Sequence, residues 1–253
     1  MSFVHLNVAS AYSAHYGVNR PEQLAEAAKS LGFEALAITD RDGLYGAVKH
    51  IGAAVKIGLA PIVGANLKVD DSRVTLLALG RNKGSGWSSL CKTISTAHHG
   101  SKKKEPGITR AALAELSKGC IVLLGHDSQL ARLVLRSPAL ASQELSSWIE
   151  LFGKERLVIE VVNQLTEPGT EYSNDHARAM LELALAHGVQ SVLTNAVRYL
   201  EPDDAITADV LDSARTLEAL GLFTPQPNAQ AWLKPAKDMA AIALEITEDT
   251  VLA

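Results

Sequence analysis

The stretch Ala35-Leu36-Ala37-Ile38-Thr39-Asp40-Arg41-Asp42-Gly43-Leu44-Tyr45-Gly46 decides how this chain is read. Its apolar opening is short enough for a buried strand, and it stops abruptly at a run of charged residues and a glycine. Side chains just past the carboxyl end of a strand in a parallel sheet or barrel face the ligand site. Asp40, Arg41 and Asp42 are therefore placed to line one.

Working outward towards the N-terminus, Phe3 to Val8 alternates apolar and polar residues as a strand does, and leads into the polar loop Ala9 to Gly17. Asn19-Arg20-Pro21-Glu22 reads as a helix start, capped by Asn19 or the residue after it. Leu24, Ala27, Ala28 and Leu31 form one face, and Gly32 stops the helix. With the quoted stretch as the next strand, this is a βαβ unit.

Towards the C-terminus, apolar residues at helical spacing run from Leu44 to Gly58. A strand from Leu59 to Val63 follows and ends at Gly64-Ala65-Asn66. Lys68 to Leu79 breaks the alternation with Asp70-Asp71-Ser72 as a hairpin turn, which reads as a side excursion from the sheet. Trp87–His98 and Thr109–Leu116 are helical. The polar loop between them carries Lys102-Lys103-Lys104, read as a solvated run.

Further strands are expected at Cys120–Leu124, ending at Gly125-His126-Asp127, at Leu157–Val162, running into Asn163-Gln164, and at Val189–Leu193. Helices are expected at Ser128–Leu135, Pro138–Phe152, Tyr172–His187 and Asp203–Leu220, before a turn-rich and then helical tail. Strands alternating with helices imply an α/β fold with parallel strands inside and helices outside. No GxGxxG or GxxxxGK[ST] follows a strand, which argues against nucleotide binding by a glycine-rich loop.

At 253 residues the chain has the size of one barrel domain. A formal charge of −4 and a pI near 6.1 give no basic field to attract nucleic acid. Cys91 and Cys120 form no CxxC, so neither a disulfide framework nor a thiolate zinc site is implied. No membrane span or targeting segment is recognised, and a cytoplasmic location is expected.

Four ordered motifs carry a resemblance. They are Phe3-Val4-His5-Leu6 with Ser10-Ala11-Tyr12-Ser13; Leu36 to Asp40 with Gly43-Leu44-Tyr45-Gly46-Ala47-Val48; Pro61-Ile62-Val63-Gly64-Ala65; and Thr194-Asn195 with Val197 and Tyr199. Together they resemble the polymerase-and-histidinol-phosphatase (PHP) domain, in the version found at the N-terminus of bacterial DNA polymerase III alpha subunits and their error-prone relatives. The resemblance covers nearly the whole chain. It implies one domain, 1–253, a distorted (βα)7-type TIM-like barrel over 1–222, and a tail over 223–253 leading towards an absent polymerase body.

In active members the resemblance implies a cluster of divalent metals at the strand ends, used for phosphoester hydrolysis. The positions that would supply ligands hold Asn7, Ala9, Tyr16, Arg41, Asn66, Gln164 (less well, Asn163), Ala196 and Arg198 here, and Asp40 alone survives. Arginine at two of these positions opposes a divalent ion. The expectation is a degenerate site with no metal, no cofactor and no catalytic residue in this domain, and with Arg41 and Arg198 paired to Asp40 or Asp42.

His5, Asp42, His126 and Asp127 are the remaining candidates for the pocket lining. His5 reads as a core residue, His15 as solvent-facing, the His98-His99 pair as no zinc site, and His50, His176 and His187 as surface. The expected role is a scaffold. It would pack against the palm and thumb of its parent polymerase, dock a proofreading exonuclease or other replisome subunit, and meet DNA only through that parent. The alternatives are a free-standing metal-dependent phosphoesterase using His126, Asp127, Asp40 and Asp42, and a small-molecule barrel holding an anion between Arg41 and Arg198.

Overall fold

The computed structural model describes residues 3–80, 84–100, 106–220 and 222–248. Six strands form one curled sheet in chain order: β1 (Ala35–Ile38), β2 (Ala60–Val69), β3 (Ser72–Ala78), β4 (Cys120–Leu124), β5 (Leu157–Val162) and β6 (Gln190–Thr194). Pairing is parallel for β1–β2, β4–β5 and β5–β6, and antiparallel on both sides of β3.

The segment Phe3 to Val8 closes the barrel without forming a regular ladder. The His5 and Val8 carbonyls accept from Ala37 and Thr39 of the β1 side, while Asn7 and Ala9 bond to Val197 beyond β6. The expected first strand is therefore an extended bridge between the two edges, held by one isolated pair, Val8 with Val197.

Around the sheet lie α1 (Pro21–Ser30), α2 (Ala47–Lys56), α3 (Ser85–Gly100), α4 (Arg110–Leu116), α5 (Gln129–Val134), α6 (Pro138–Phe152), α7 (Asn174–His187), α8 (Ala205–Thr216) and α9 (Ala236–Glu248). Arg20 is the N-cap of α1, its amide bonded to the Gln23 side chain one turn on. The main core lies between sheet and helices and includes Leu67, Leu76, Leu90, Leu124, Trp148 and Met180. A second cluster around Leu24, Phe33, Leu36 and Ile38 seats α1 and α2. Inside the barrel, Ala37, Leu77 and Leu123 meet residues that alternate along the strands.

Three expectations are corrected. The hairpin at Asp70-Asp71 is present, but β3 is no side excursion: it is inserted between β2 and β4, and its burial on both faces is that of an interior strand. β2 does not end at Gly64-Ala65-Asn66 but continues through them to Val69, because β3 pairs along this whole extension. The helix expected to run to Leu220 ends at Thr216, where Leu217 turns left-handed at φ 60°.

The described part of the tail is bound into the barrel. Arg198 and Leu233 amides bond to the carbonyls of Ala231 and Tyr199, and Met239, Ile242 and Ile246 of α9 join the main core. Lys102-Lys103-Lys104 lies outside the described residues. Among those described, no helix is long and apolar enough to cross a membrane.

Candidate functional site at the barrel mouth

The carboxyl ends of the parallel strands open on a cavity of about 410 Å³, whose lining includes Tyr16, Arg41, His126, Asp127, Tyr172 and Arg198. Directly after β1, Asp40 is buried and fully engaged in bracing the first loop. Its carboxylate accepts from the Ser10 amide at 2.7 Å and from the Ser10 and Ser13 hydroxyls at 2.8 Å. Gly46 permits this approach, since a Cβ there would stand 2.4 Å from Asp40 Oδ2. The sequence places Asp40 at a site, and the fold uses it to hold the loop that carries Tyr16.

The Tyr16 ring gathers two guanidinium groups, with Arg41 Cζ 3.4 Å and Arg198 Cζ 4.1 Å from its centroid. Arg41 donates to Asp127 Oδ2 at 2.9 Å, and Arg198 to Asp212 Oδ2 of α8 at 2.8 Å. Arg198 also donates to the Tyr16 carbonyl from Nη2 at 3.1 Å. The expected pairing of these arginines with Asp40 or Asp42 is corrected: Asp40 is occupied by hydroxyls and an amide, and Asp42 is bonded to Arg73. Asp42 faces an outer recess beside the mouth, together with Arg73 and His98.

Charge pairing sets the titration of the mouth. Burial works against the Arg41 cation, but Tyr16, Asp127, Tyr172 and Asp42 outweigh it and raise its pKa. Burial likewise pushes the Asp127 carboxyl up, and His126, Arg41, Arg73 and Arg132 together hold it below the usual range. Tyr172 is pushed well up by burial and by Asp127.

Deeper in the barrel, Asn7 joins a buried polar chain. Thr39 donates to Asn7 Oδ1 at 3.1 Å, while Asn7 Nδ2 and the Thr194 hydroxyl donate to Glu160 Oε1 at 2.8 and 2.6 Å. This links β1, β5 and β6 across the interior, and each group bonded in it is one that burial would otherwise penalise. His126 sits at its edge, with Nδ1 4.0 Å from Glu160 Oε2 and Nε2 3.5 Å from Asp127.

The other singled-out positions are committed to neighbouring side chains or backbone. Asn66 Nδ2 donates to Thr75 and its Oδ1 accepts from Arg73. Gln164 donates to the Asn195 carbonyl, and Asn163 to Asn174. Ala9 is buried against Val197, and Ala196 lines the mouth in a left-handed conformation, φ 45°. His5 does not reach the mouth; it packs edge-on to Phe3 and Phe33 and bonds to the Lys234 carbonyl at 2.9 Å.

His50 and His176, expected on the surface, are buried: each ring Nε2 meets a backbone carbonyl, Leu36 and Ala131, at 3.0 Å. His98 lies in the last turn of α3, which continues to Gly100, rather than beginning a loop, and its ring bonds to the Asp42 carbonyl at 2.6 Å. Exposed His15 and half-buried His187 are as expected or nearly so.

His126, Asp127, Asp40 and Asp42 do not converge as one site, because Asp40 and Asp42 are committed to separate partners. Among the described residues no three histidine, cysteine, aspartate or glutamate side chains gather as a metal-ligand set. Sequence reasoning missed Arg73, Glu160, Tyr172 and Asp212 at the mouth. Glu160 alone had a visible signal, a carboxylate inside an otherwise apolar strand.

The PHP domain family matches residues 5–164. The DNA polymerase III subunit alpha of Escherichia coli K12 is 34% identical over 209 residues, covering 80% of this chain and 18% of that protein. The error-prone DNA polymerase of Mycobacterium tuberculosis H37Rv is 31% identical over 250 residues, covering 93% of this chain and 22% of that one. The chain thus spans about a fifth of the length of the curated relatives it matches.

Among solved structures, a presumed metal-dependent phosphoesterase from Bifidobacterium adolescentis superposes with a TM-score of 0.55 at 14% identity, covering 96% of each chain. An amidohydrolase from Chromobacterium violaceum reaches 0.53 at 13% identity over 77% of this chain and 87% of that one. At such identities these neighbours carry the fold alone. With more than half of its length matched, and with the strand-end architecture described above, the chain belongs to the PHP domain family.

Proposed function

We propose that this chain is the PHP domain of a polymerase of the DNA polymerase III alpha or error-prone type, with a degenerate metal site, acting as a scaffold inside its parent enzyme. The observation that carries this is the donor set at the mouth. Where a metal cluster needs imidazoles and carboxylates, the chain offers an alanine pair, amides, a tyrosine and two guanidinium groups. The cations stand 3.4 and 4.1 Å from the same ring and repel any incoming divalent ion. The surviving carboxylate, Asp40, is buried and has its Oδ1 engaged by the Ser10 amide and the Ser10 and Ser13 hydroxyls. These residues do not fit a metal cluster, so no catalytic step is assigned to them.

The scaffold role draws on the likeness to polymerases about five times longer. Its partners in this reading are the rest of a parent polymerase and a replisome subunit such as a proofreading exonuclease. The purified chain should contain less than stoichiometric manganese or zinc by elemental analysis. It should release neither phosphate from phosphomonoesters nor nucleotides from the 3′ end of DNA when either metal is added. Turnover that disappears in Asp127→Asn and His126→Ala would establish a working phosphoesterase and end this proposal.

A further inference from the structure

Tyr16, Arg41 and Arg198 come from segments far apart in the chain: the first loop, the end of β1 and the residues after β6. Through their counter-ions they also reach Asp127 after β4 and Asp212 on α8. Two guanidinium groups gathered at one site repel each other. The electron-rich ring of Tyr16 attracts both, and together with the carboxylate partner of each arginine it offsets that repulsion. The backbone of the same residue is used as well, since the Tyr16 carbonyl accepts from Nη2 of Arg198.

Helix α8 has few other anchors. Ala208 packs with Tyr199 and Ala231, Asp209 accepts from Gln226, and the buried Asp212 meets Arg198. The last of these holds the C-terminal half of the helix to the barrel mouth. Its outer face leaves Ile206 and Val210 exposed.

We infer that the Arg41–Tyr16–Arg198 stack is a built-in clasp, with Tyr16 as its positioning residue, that ties the strand ends together and fixes the second half of α8 without a metal. This rests on the degenerate-site reading above. A metal cluster joins strand ends only while metal is supplied and its ligands are deprotonated, whereas guanidinium groups are permanently charged. The clasp therefore makes the order of the mouth independent of chelators.

Hydrogen exchange read by mass spectrometry on the whole chain tests this, using wild type, Tyr16→Phe, Tyr16→Leu and Arg198→Lys, each with and without excess EDTA. Tyr16→Phe keeps the ring and should match wild type. Tyr16→Leu should raise exchange about tenfold at residues 41–43 and 211–216 while β4 and β5 stay protected. Arg198→Lys keeps the charge opposite Asp212 but loses the planar stack, and should fall between; it carries the test if Tyr16→Leu does not fold. Exchange in both variants equal to wild type, or raised evenly along the chain, overturns the clasp. Wild type loosened by EDTA instead overturns the metal-free reading on which it rests, and the two failures are thereby distinguished.

Discussion

The two ends of the barrel are built in opposite ways. At the mouth, a cavity of about 410 Å³ is lined by guanidinium groups, carboxylates and tyrosines, each cation matched to an acid or a carbonyl. At the other end, a cavity of about 630 Å³ is lined mostly by hydrocarbon, with Leu6, Ile62, Leu77, Leu123, Val158 and Val192 prominent. In barrels of this kind the carboxyl ends of the strands carry chemistry and the amino ends carry stability. Here the mouth keeps the polar character of a site while its groups bond to one another, so the two ends are held together by different physics. Charges at the mouth are costly to leave unpaired, whereas apolar groups at the floor lose only in proportion to the contacts removed.

That difference is sharpest at Arg198 and Asp212, whose side chains are 9% and 8% exposed. Asp212→Ala leaves a buried cation without its partner and should cost about 3–5 kcal/mol in denaturant unfolding. Arg215, which also pairs with Asp212, loses its partner in the same variant. Replacing both members of the buried pair, Arg198→Met with Asp212→Leu, should cost distinctly less than Asp212→Ala alone. Equal losses would mean that the mouth, like the floor, is held by packing.

Acid separates the mouth from the layer outside the barrel. His5, His50 and His176 are buried with lowered pKa values, caused first by desolvation, and His5 falls to about 4. Between that value and the ordinary 6.5 the unfolded chain binds more protons than the folded one, so protonation favours unfolding. Their contribution is complete above pH 6.5 and lost as pH falls below it; for His5 the loss runs down to about pH 4 and amounts to about 3 kcal/mol. Asp127 has the opposite chemistry: its carboxyl is held below the ordinary carboxylate range, so its contribution persists until more acid conditions. Stability measured against pH should therefore decline in two stages. His5→Phe should flatten the first, and an unchanged first stage in that variant would show that other groups control it.

How much of this was legible in the sequence follows from the range of each interaction. The strand ends at Asp40, Asp127, Gln164 and Asn195 could be placed because periodicity and turn residues are local signals. The partner of each arginine could not. Arg41 meets a carboxylate 86 positions away, and Arg198 meets one on α8 rather than either of the acids near Arg41. His50 sits on a largely apolar helix and His176 among polar neighbours, and in each case the ring meets a backbone carbonyl from a distant element, Leu36 or Ala131, that helical spacing alone does not reveal. The insertion of β3 was hidden for a related reason, because a hairpin strand has the same alternation whether its second edge is solvent or β4.

At the floor the smallest of these effects is expected, and it bears on whether the contrast between the two ends is real. Leu123 is buried on β4 among Ala37 and Leu77, beside a cavity that already exists. Leu123→Ala removes apolar contacts without stranding any charge or hydrogen-bonding group. The cost should be about 2–3 kcal/mol, the lower part of the range for such truncations. Unlike Asp212→Ala, it should leave the acid profile unchanged in shape, since none of the buried histidines bonds to Leu123. Leu123→Met, which conserves volume, should recover most of the loss. A Leu123→Ala cost equal to that of Asp212→Ala would remove the contrast, for truncating hydrocarbon would then be as damaging as stranding a charge.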